Sequence, residues 1–109
     1  MTRITLFWGE EGLVGLEARG HSGGGFKGED VVCAAVSALV QALLVGLRDV
    51  AGASEAECER DSSDSLIRVR WPKIRASEFD LLTRTIALSL MEVASRYAEF
   101  VSIAEVHES

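Results

Sequence analysis

The sequence has little cysteine and almost no proline. Its two cysteines lie in neither a Cys-x-x-Cys nor a zinc-ligand spacing, so we expect no structural metal, and nothing in the sequence indicates a cofactor. A single proline and a hydrophobic content of 48% leave no sign of a disordered linker, a low-complexity tract or an internal repeat. We therefore expect residues 1–109 to fold as a single domain around one core.

Basic residues are also scarce. The chain has 11 Lys and Arg residues against 17 Asp and Glu, which gives a net charge of −6. Direct binding of nucleic acid needs clustered Lys and Arg to contact phosphates, so this composition argues against it. A negative protein is instead suited to a basic protein partner, because complementary charge speeds their encounter.

No secretory signal is recognisable at the N-terminus, and we expect a cytoplasmic protein. One apolar run, Val31–Leu47, resembles a membrane span in composition. It is shorter than the roughly twenty residues that a bilayer requires, and Asp30, Arg48 and Asp49 closely bracket it. We interpret it as a buried core helix of a protein that does not enter a membrane.

Apolar periodicity predicts seven elements in the order ββαββαβ. Ser77 and Asp80 resemble a capping box that opens the second helix. This order predicts a two-layer α+β fold, in which a mostly antiparallel sheet of four to five strands packs against two helices. The predicted strands are about Arg3–Trp8, Leu13–Arg19, Glu55–Arg60, Leu66–Trp71 and Phe100–Val106.

The first predicted helix is apolar nearly all round. One face is expected to pack on the sheet, and another is expected to be covered by the second helix or by a second subunit. A homodimer is therefore one of the two expectations for this helix.

The stretch from Gly20 to Ser37 combines a glycine-rich loop with the start of this helix. If Asp30 caps the helix, Cys33 falls in its first turn, where the positive end of the helix dipole favours a thiolate. The loop has enough glycine to bring the imidazole of His21 to the sulfur. Ser37 follows one turn later, where its hydroxyl either contacts the site or bonds back to a main-chain carbonyl.

These residues resemble the signature of the bacterial ribosomal-processing cysteine proteases, the Prp family. Its pattern is Gly-His-Ala/Ser, a short loop, then Gly-x-Asp-Ile/Val-Val-Cys-Ala-Ala/Gly-Val-Ser. The resemblance implies that Cys33 is the nucleophile, that His21 is the general base and acid, and that Asp30 and Ser37 support them. Ser22 and the triple glycine depart from the commoner family loop. The loop residues expected at the substrate are Gly20, Ser22, Gly23, Gly24, Gly25, Phe26 and Gly28.

The resemblance also implies a substrate and an assembly. Family members remove a short N-terminal extension from a large-subunit ribosomal protein, number twenty-seven, which ribosome assembly needs, and they form dimers. An alternative is a non-catalytic ribosome-assembly or ribosomal-protein-binding factor with the same fold. A thiol redox sensor is a third hypothesis, but it would need Cys58 as a resolving cysteine, and no local motif brings Cys58 near Cys33.

Overall fold

Five strands form one sheet. The computed structural model describes residues 1–20 and 29–108. The first hairpin joins β1 (Thr2–Gly9) to β2 (Gly12–Arg19), and the second joins β3 (Glu57–Asp61) to β4 (Leu66–Arg70). The last strand is β5 (Val101–His107). Alternate side chains of each strand point to one face, which sets the buried and exposed sides of the sheet.

The strand order is β3-β4-β2-β1-β5. Neighbouring strands are antiparallel, except that β5 runs parallel to β1 with Thr2 opposite Val101. The parallel pair is possible because α2 (Asp80–Arg96) carries the chain back across the sheet before β5 begins. The predicted α+β fold and the element order ββαββαβ are therefore confirmed, with five strands and mostly antiparallel pairing.

Both helices pack on the same face of the sheet. The first, α1 (Glu29–Val45), continues into a π-helical turn (Gly46–Val50), and a 3-10 turn (Lys73–Arg75) precedes α2. A Cβ built on Gly46 would lie 2.6 Å from Leu82, so the end of α1 meets the start of α2 and the helices run antiparallel. The core between the layers includes Ile4, Leu6, Leu16, Val36, Val40, Leu43, Val69, Ile86 and Leu90.

Tryptophan 71 shows how the second hairpin is joined to the first. Its side chain is buried, and its indole Nε1 donates a 2.7 Å hydrogen bond to the carbonyl oxygen of Leu13. Val69 lies on the same buried face, and Ile67 packs against the core from a half-buried position. The predicted alternation of this strand is thus confirmed.

Both predicted helix caps were wrong. Asp30 lies inside α1, which already includes Glu29, so Asp30 is in the first turn and is not the N-cap. The second helix begins at Asp80, with Phe79 at the N-cap and no side-chain capping bond, so Ser77 does not cap it. The chain from Arg75 to Asp80 turns with two backbone hydrogen bonds, in which the Asp80 amide donates to the Ser77 carbonyl oxygen and the Phe79 amide donates to the Arg75 carbonyl oxygen. The amide of Asp80 therefore already has an acceptor and does not need the hydroxyl of Ser77.

The helical segment Asp30–Val50 is 21 residues long with a mean hydropathy of 2.1, so by length and composition it could cross a membrane. The helix is longer than the apolar run Val31–Leu47, because it also includes Asp30 and the π-helical turn with Arg48 and Asp49. Its packing is a better guide than its length, since Val32, Val36, Val40 and Leu43 are buried against the sheet. A core helix of a compact α+β fold can be as long and as apolar as a membrane span.

Candidate active site

Cys33 is the fifth residue of α1 and is half-buried. It lies one turn into the helix, so the expectation that it falls within the first turn is off by about one residue, because the helix begins before Asp30. The thiol is free. Cys33 thus lies close to the start of α1 along the helix axis.

Contacts at the far end of α1 fix the direction in which Cys33 points. Gly46 meets Leu82 of α2, and Cys33 lies about 140° away from Gly46 around the helix at 3.6 residues per turn. On the other side, Arg48 Nη2 donates a 3.0 Å hydrogen bond to the carbonyl oxygen of Ala56, just before β3. Cys33 therefore lies on the flank of α1 that faces β3 rather than on the side covered by α2.

Ser37 lies one turn beyond Cys33 on this flank, and its side chain is exposed. Of the two alternatives for Ser37, the bond back to a main-chain carbonyl is not found: within residues 1–20 and 29–108, no hydrogen bond of the Ser37 hydroxyl is seen. In α2, by contrast, Thr85 and Ser89 both bond back to the carbonyl four residues earlier. Asp30 is exposed in the first turn of α1. Ser37 and Asp30 are thus open to solvent beside Cys33.

Gly20 directly follows β2, the strand that leads to the glycine-rich loop. Its φ is +97°, a conformation that favours glycine, and a Cβ built there would lie 2.4 Å from the carbonyl oxygen of Met1. Backbone conformation and packing therefore both call for glycine immediately before His21. His21 itself lies outside the described residues, as do Ser22, Gly23, Gly24, Gly25, Phe26 and Gly28.

One ion pair, between Arg19 and Asp64, joins the turn of the β3–β4 hairpin to the end of β2. Arg19 contacts Glu17 at 3.0 Å and Asp64 at 3.7 Å. At the hairpin turn, hydrogen bonds from the Ser63 side chain and amide lower the pKa of Asp61. The hairpin tip is thus tied to the strand end that precedes His21.

Cys58 lies in β3 with its side chain half-buried against the core, and it is also free. Cys33 lies near the start of α1, on a different element, and no disulfide joins the two cysteines in the structure.

No metal centre is found in the described parts of the chain, where no three His, Cys, Asp or Glu side chains come together. What the site offers is a free, half-buried thiol near a helix N-terminus, with exposed polar groups along one flank. This arrangement is typical of a cysteine nucleophile on an α+β scaffold.

Comparison with known proteins identifies the family. The family model for "Cysteine protease Prp" matches residues 1–102, so the chain belongs to the cysteine protease Prp family. This confirms the resemblance seen in the Gly20–Ser37 stretch. The comparison with curated proteins gave no match.

Solved structures share the fold along almost the whole chain. SMU.848 from Streptococcus mutans is 28% identical with a TM-score of 0.88, and the match covers 99% of this chain and 96% of that one. The essential ribosomal processing protease Prp from S. aureus, in complex with a substrate peptide, is 20% identical with a TM-score of 0.81. That match covers 96% of this chain and 99% of the other. The same S. aureus protein with a covalently linked product peptide is 21% identical with a TM-score of 0.78, again covering 96% and 99%.

Proposed function

We propose that the protein is a cysteine endopeptidase that removes the N-terminal extension of large-subunit ribosomal protein twenty-seven. Membership of the cysteine protease Prp family carries this proposal, together with His21 and Cys33 both present in the sequence. The position of Cys33 near the start of α1 supports the role of nucleophile. The structural relative from S. aureus is a ribosomal processing protease, which supports the substrate class.

The proposed reaction is acyl transfer to Cys33. The thiolate sulfur attacks the carbonyl carbon of the scissile bond, and the C–N bond breaks as the imidazolium of His21 gives its proton to the leaving amine. A water molecule then attacks the thioester while His21 takes one of its protons. The new carboxyl product leaves, and the Cys33 thiolate is restored. Backbone amides near the start of α1 are suited to stabilise the oxyanion.

Asp30 and Ser37 are proposed to support this pair. An exposed carboxylate in the first turn of α1 is available to orient a protonated imidazole, and the Ser37 hydroxyl has no competing bond within the described residues. Gly20 is proposed to set the direction in which the chain enters the loop. The loop residues Ser22, Gly23, Gly24, Gly25, Phe26 and Gly28 are proposed to contact the substrate.

Mass spectrometry of a peptide that spans the host protein's N-terminal extension tests the proposal. We expect wild-type protein to make a single cut, and Cys33→Ala to make none. Cys58→Ala is the matched control, because it removes the other free thiol, and it should cut like the wild type. Binding of the peptide without any cut by the wild type would instead favour a non-catalytic ribosome-assembly factor.

We further propose that the protein acts in the cytoplasm as a homodimer. One face of α1 remains exposed and apolar after α2 and the sheet are packed, and its residues are Val31, Ala34, Ala35, Ala38, Ala42 and Val45. Val31 is 72% exposed and Val45 is 51% exposed, which supports a second subunit over this face. Sedimentation analysis should give a dimer, and Ala38→Glu should give a folded monomer. A monomeric wild type at micromolar concentration would exclude this assembly.

A further inference from the structure

The polar side chains of α1 lie on one narrow flank. Between Asp30 and Val45 the helix has only Cys33, Ser37 and Gln41 in addition to apolar residues. At 3.6 residues per turn these three positions fall within about 80° of one another. Ser37 and Gln41 are exposed, and within the described residues neither side chain has a hydrogen-bond partner. A polar strip therefore leads away from Cys33 along the helix.

The spacing of this strip matches an extended peptide. Four helical residues advance about 6 Å, so Ser37 lies about 6 Å and Gln41 about 12 Å beyond Cys33 along the axis. An extended chain advances about 3.3 Å per residue, so two of its residues cover nearly the same distance. A peptide that lies along the strip thus places every second residue beside a polar group. Ser37 would face a position about two residues from the scissile bond, and Gln41 a position about four residues from it.

Arg60 faces the same strip from the edge strand β3. The side chain of Cys58 packs against the core on the helix side of the sheet, and Arg60 is two residues further on, so it points to the same side. The contact between Arg48 and Ala56 aligns α1 with β3. Arg60 is four strand residues from Ala56, about 13 Å, which places it at a level between Ser37 and Gln41.

The guanidinium of Arg60 is exposed and has no ion-pair or hydrogen-bond partner in the described part of the chain. Other cations of these ranges are engaged: Arg19, Arg68, Arg70, Lys73, Arg75, Arg84 and Arg96 all pair with carboxylates, and Arg48 bonds a carbonyl. Arg3 is the other described cation without such a partner, and it lies on the opposite face of the sheet. Arg60 thus keeps its donors available beside the strip.

We propose that Gln41 and Arg60 are substrate-binding residues that bind the main chain of an extended peptide substrate running from Cys33 along α1. The amide of Gln41 both donates and accepts hydrogen bonds, and the guanidinium of Arg60 donates them, which suits the carbonyls and amides of an extended chain. The proposal rests on the proposed protease function. It adds the direction of the bound peptide, the residues that hold it and their distance from the scissile bond.

Steady-state cleavage of two sets of peptides tests the proposal. The first set has six residues on each side of the scissile bond, and the second is trimmed to two residues on one side or the other. With the long peptide we expect KM to rise about tenfold for Arg60→Ala and about threefold for Gln41→Ala, with kcat within about twofold of the wild type, because uniform binding is lost. When the peptide is trimmed on the side that lies on the strip, the difference in KM between the wild type and the two variants should disappear.

Arg3→Ala is the matched control, because it removes an equally unpartnered arginine from the far face of the sheet. It should leave KM unchanged, and all three variants should keep the thermal midpoint of the wild type because the residues are exposed. If the wild type is active but KM is unchanged in Arg60→Ala and Gln41→Ala, this inference is overturned while the proposed protease function stands. An equal rise in Arg3→Ala would also overturn this inference. An inactive wild type would instead overturn the proposed protease function, and the inference with it.

Discussion

Replacing Gly20 with alanine should both destabilise the protein and impair the site. At a φ of +97° an alanine pays the strain of a left-handed backbone, about 1–2 kcal/mol. Its Cβ would also lie 2.4 Å from the Met1 carbonyl oxygen, and that distance would have to open to at least 3.0 Å. Overpacking against backbone costs about 1–3 kcal/mol. Together we expect a loss of about 3 kcal/mol in the free energy of unfolding.

Gly52→Ala is the control that separates the two costs. Gly52 also has a positive φ, +68°, but a Cβ built there meets nothing within 4 Å. This variant should lose only about 1 kcal/mol and keep full activity. Urea titration gives the two free energies of unfolding, and cleavage assays at a temperature where both variants are folded give kcat/KM.

The effect on activity follows from the position of His21 directly after Gly20. A displacement on the order of 1 Å at a reacting group can cost about a hundredfold in rate. We expect kcat/KM of Gly20→Ala to fall between about tenfold and a hundredfold, while that of Gly52→Ala stays at the wild-type value. Equal destabilisation of the two variants would refute the steric reasoning, and a fully active Gly20→Ala would refute the link to His21.

Two further predictions concern stability. Hydrogen bonds from Arg75 lower the pKa of both Glu55 and Glu78, so these carboxylates stabilise the fold above their ordinary pKa and lose that contribution as the pH falls through the lowered values. Arg75→Met should therefore lower the thermal midpoint at pH 7, and it should lose less stability than the wild type on acidification. Parallel plots of thermal midpoint against pH for the two proteins would contradict this. Thr83 is fully buried and its hydroxyl has no partner within the described residues, so Thr83→Val should gain about 1 kcal/mol, or a midpoint about 4 °C higher or more. Thr85→Val is the control, because Thr85 is exposed and its hydroxyl already bonds a carbonyl, so this variant should gain no stability. A destabilised Thr83→Val would show that the Thr83 hydroxyl has a hydrogen-bond partner.

The sequence was a good guide to the elements and a poor one to their ends. Alternating apolar residues predict β1 and β4 because every second side chain faces the core, as with Ile4 and Leu6. Helix caps depend on a few backbone bonds, and polar residues near a helix start compete for them. Ser77 had the right residue type and spacing, yet its carbonyl, not its hydroxyl, contacts the amide of Asp80. The parallel pairing of β5 with β1 is a long-range contact that no local pattern indicates.

The candidate site was predictable in part. The spacing between Gly20 and Ser37 was enough to suggest the family, because the residue types in that stretch are specific. The flank on which Cys33 lies was not predictable, since it depends on where α2 and β3 meet the far end of the helix. Gln41 was missed as a candidate, although a signal was present: it is a polar residue in an apolar helix, eight positions after Cys33. Arg60 was not recognisable until the register of β3 placed it on the helix side.

α1 presents three faces with different surroundings, and this separation has consequences for how its substitutions should behave. One face is buried on the sheet through Val36 and Leu43, another is apolar and exposed around Ala38, and the polar flank begins at Cys33. Ala38 lies about 140° from Cys33 and about 160° from Val36 around the helix, so a change at Ala38 need not disturb the other two sites, whereas Cys33 lies only about 60° from Val36. Changes at the buried face should lower stability, changes around Ala38 should alter assembly, and changes along the polar flank should alter substrate binding. A helix that is apolar for most of its circumference can therefore serve the core, a partner and a substrate at once, provided that its few polar residues remain on a single flank.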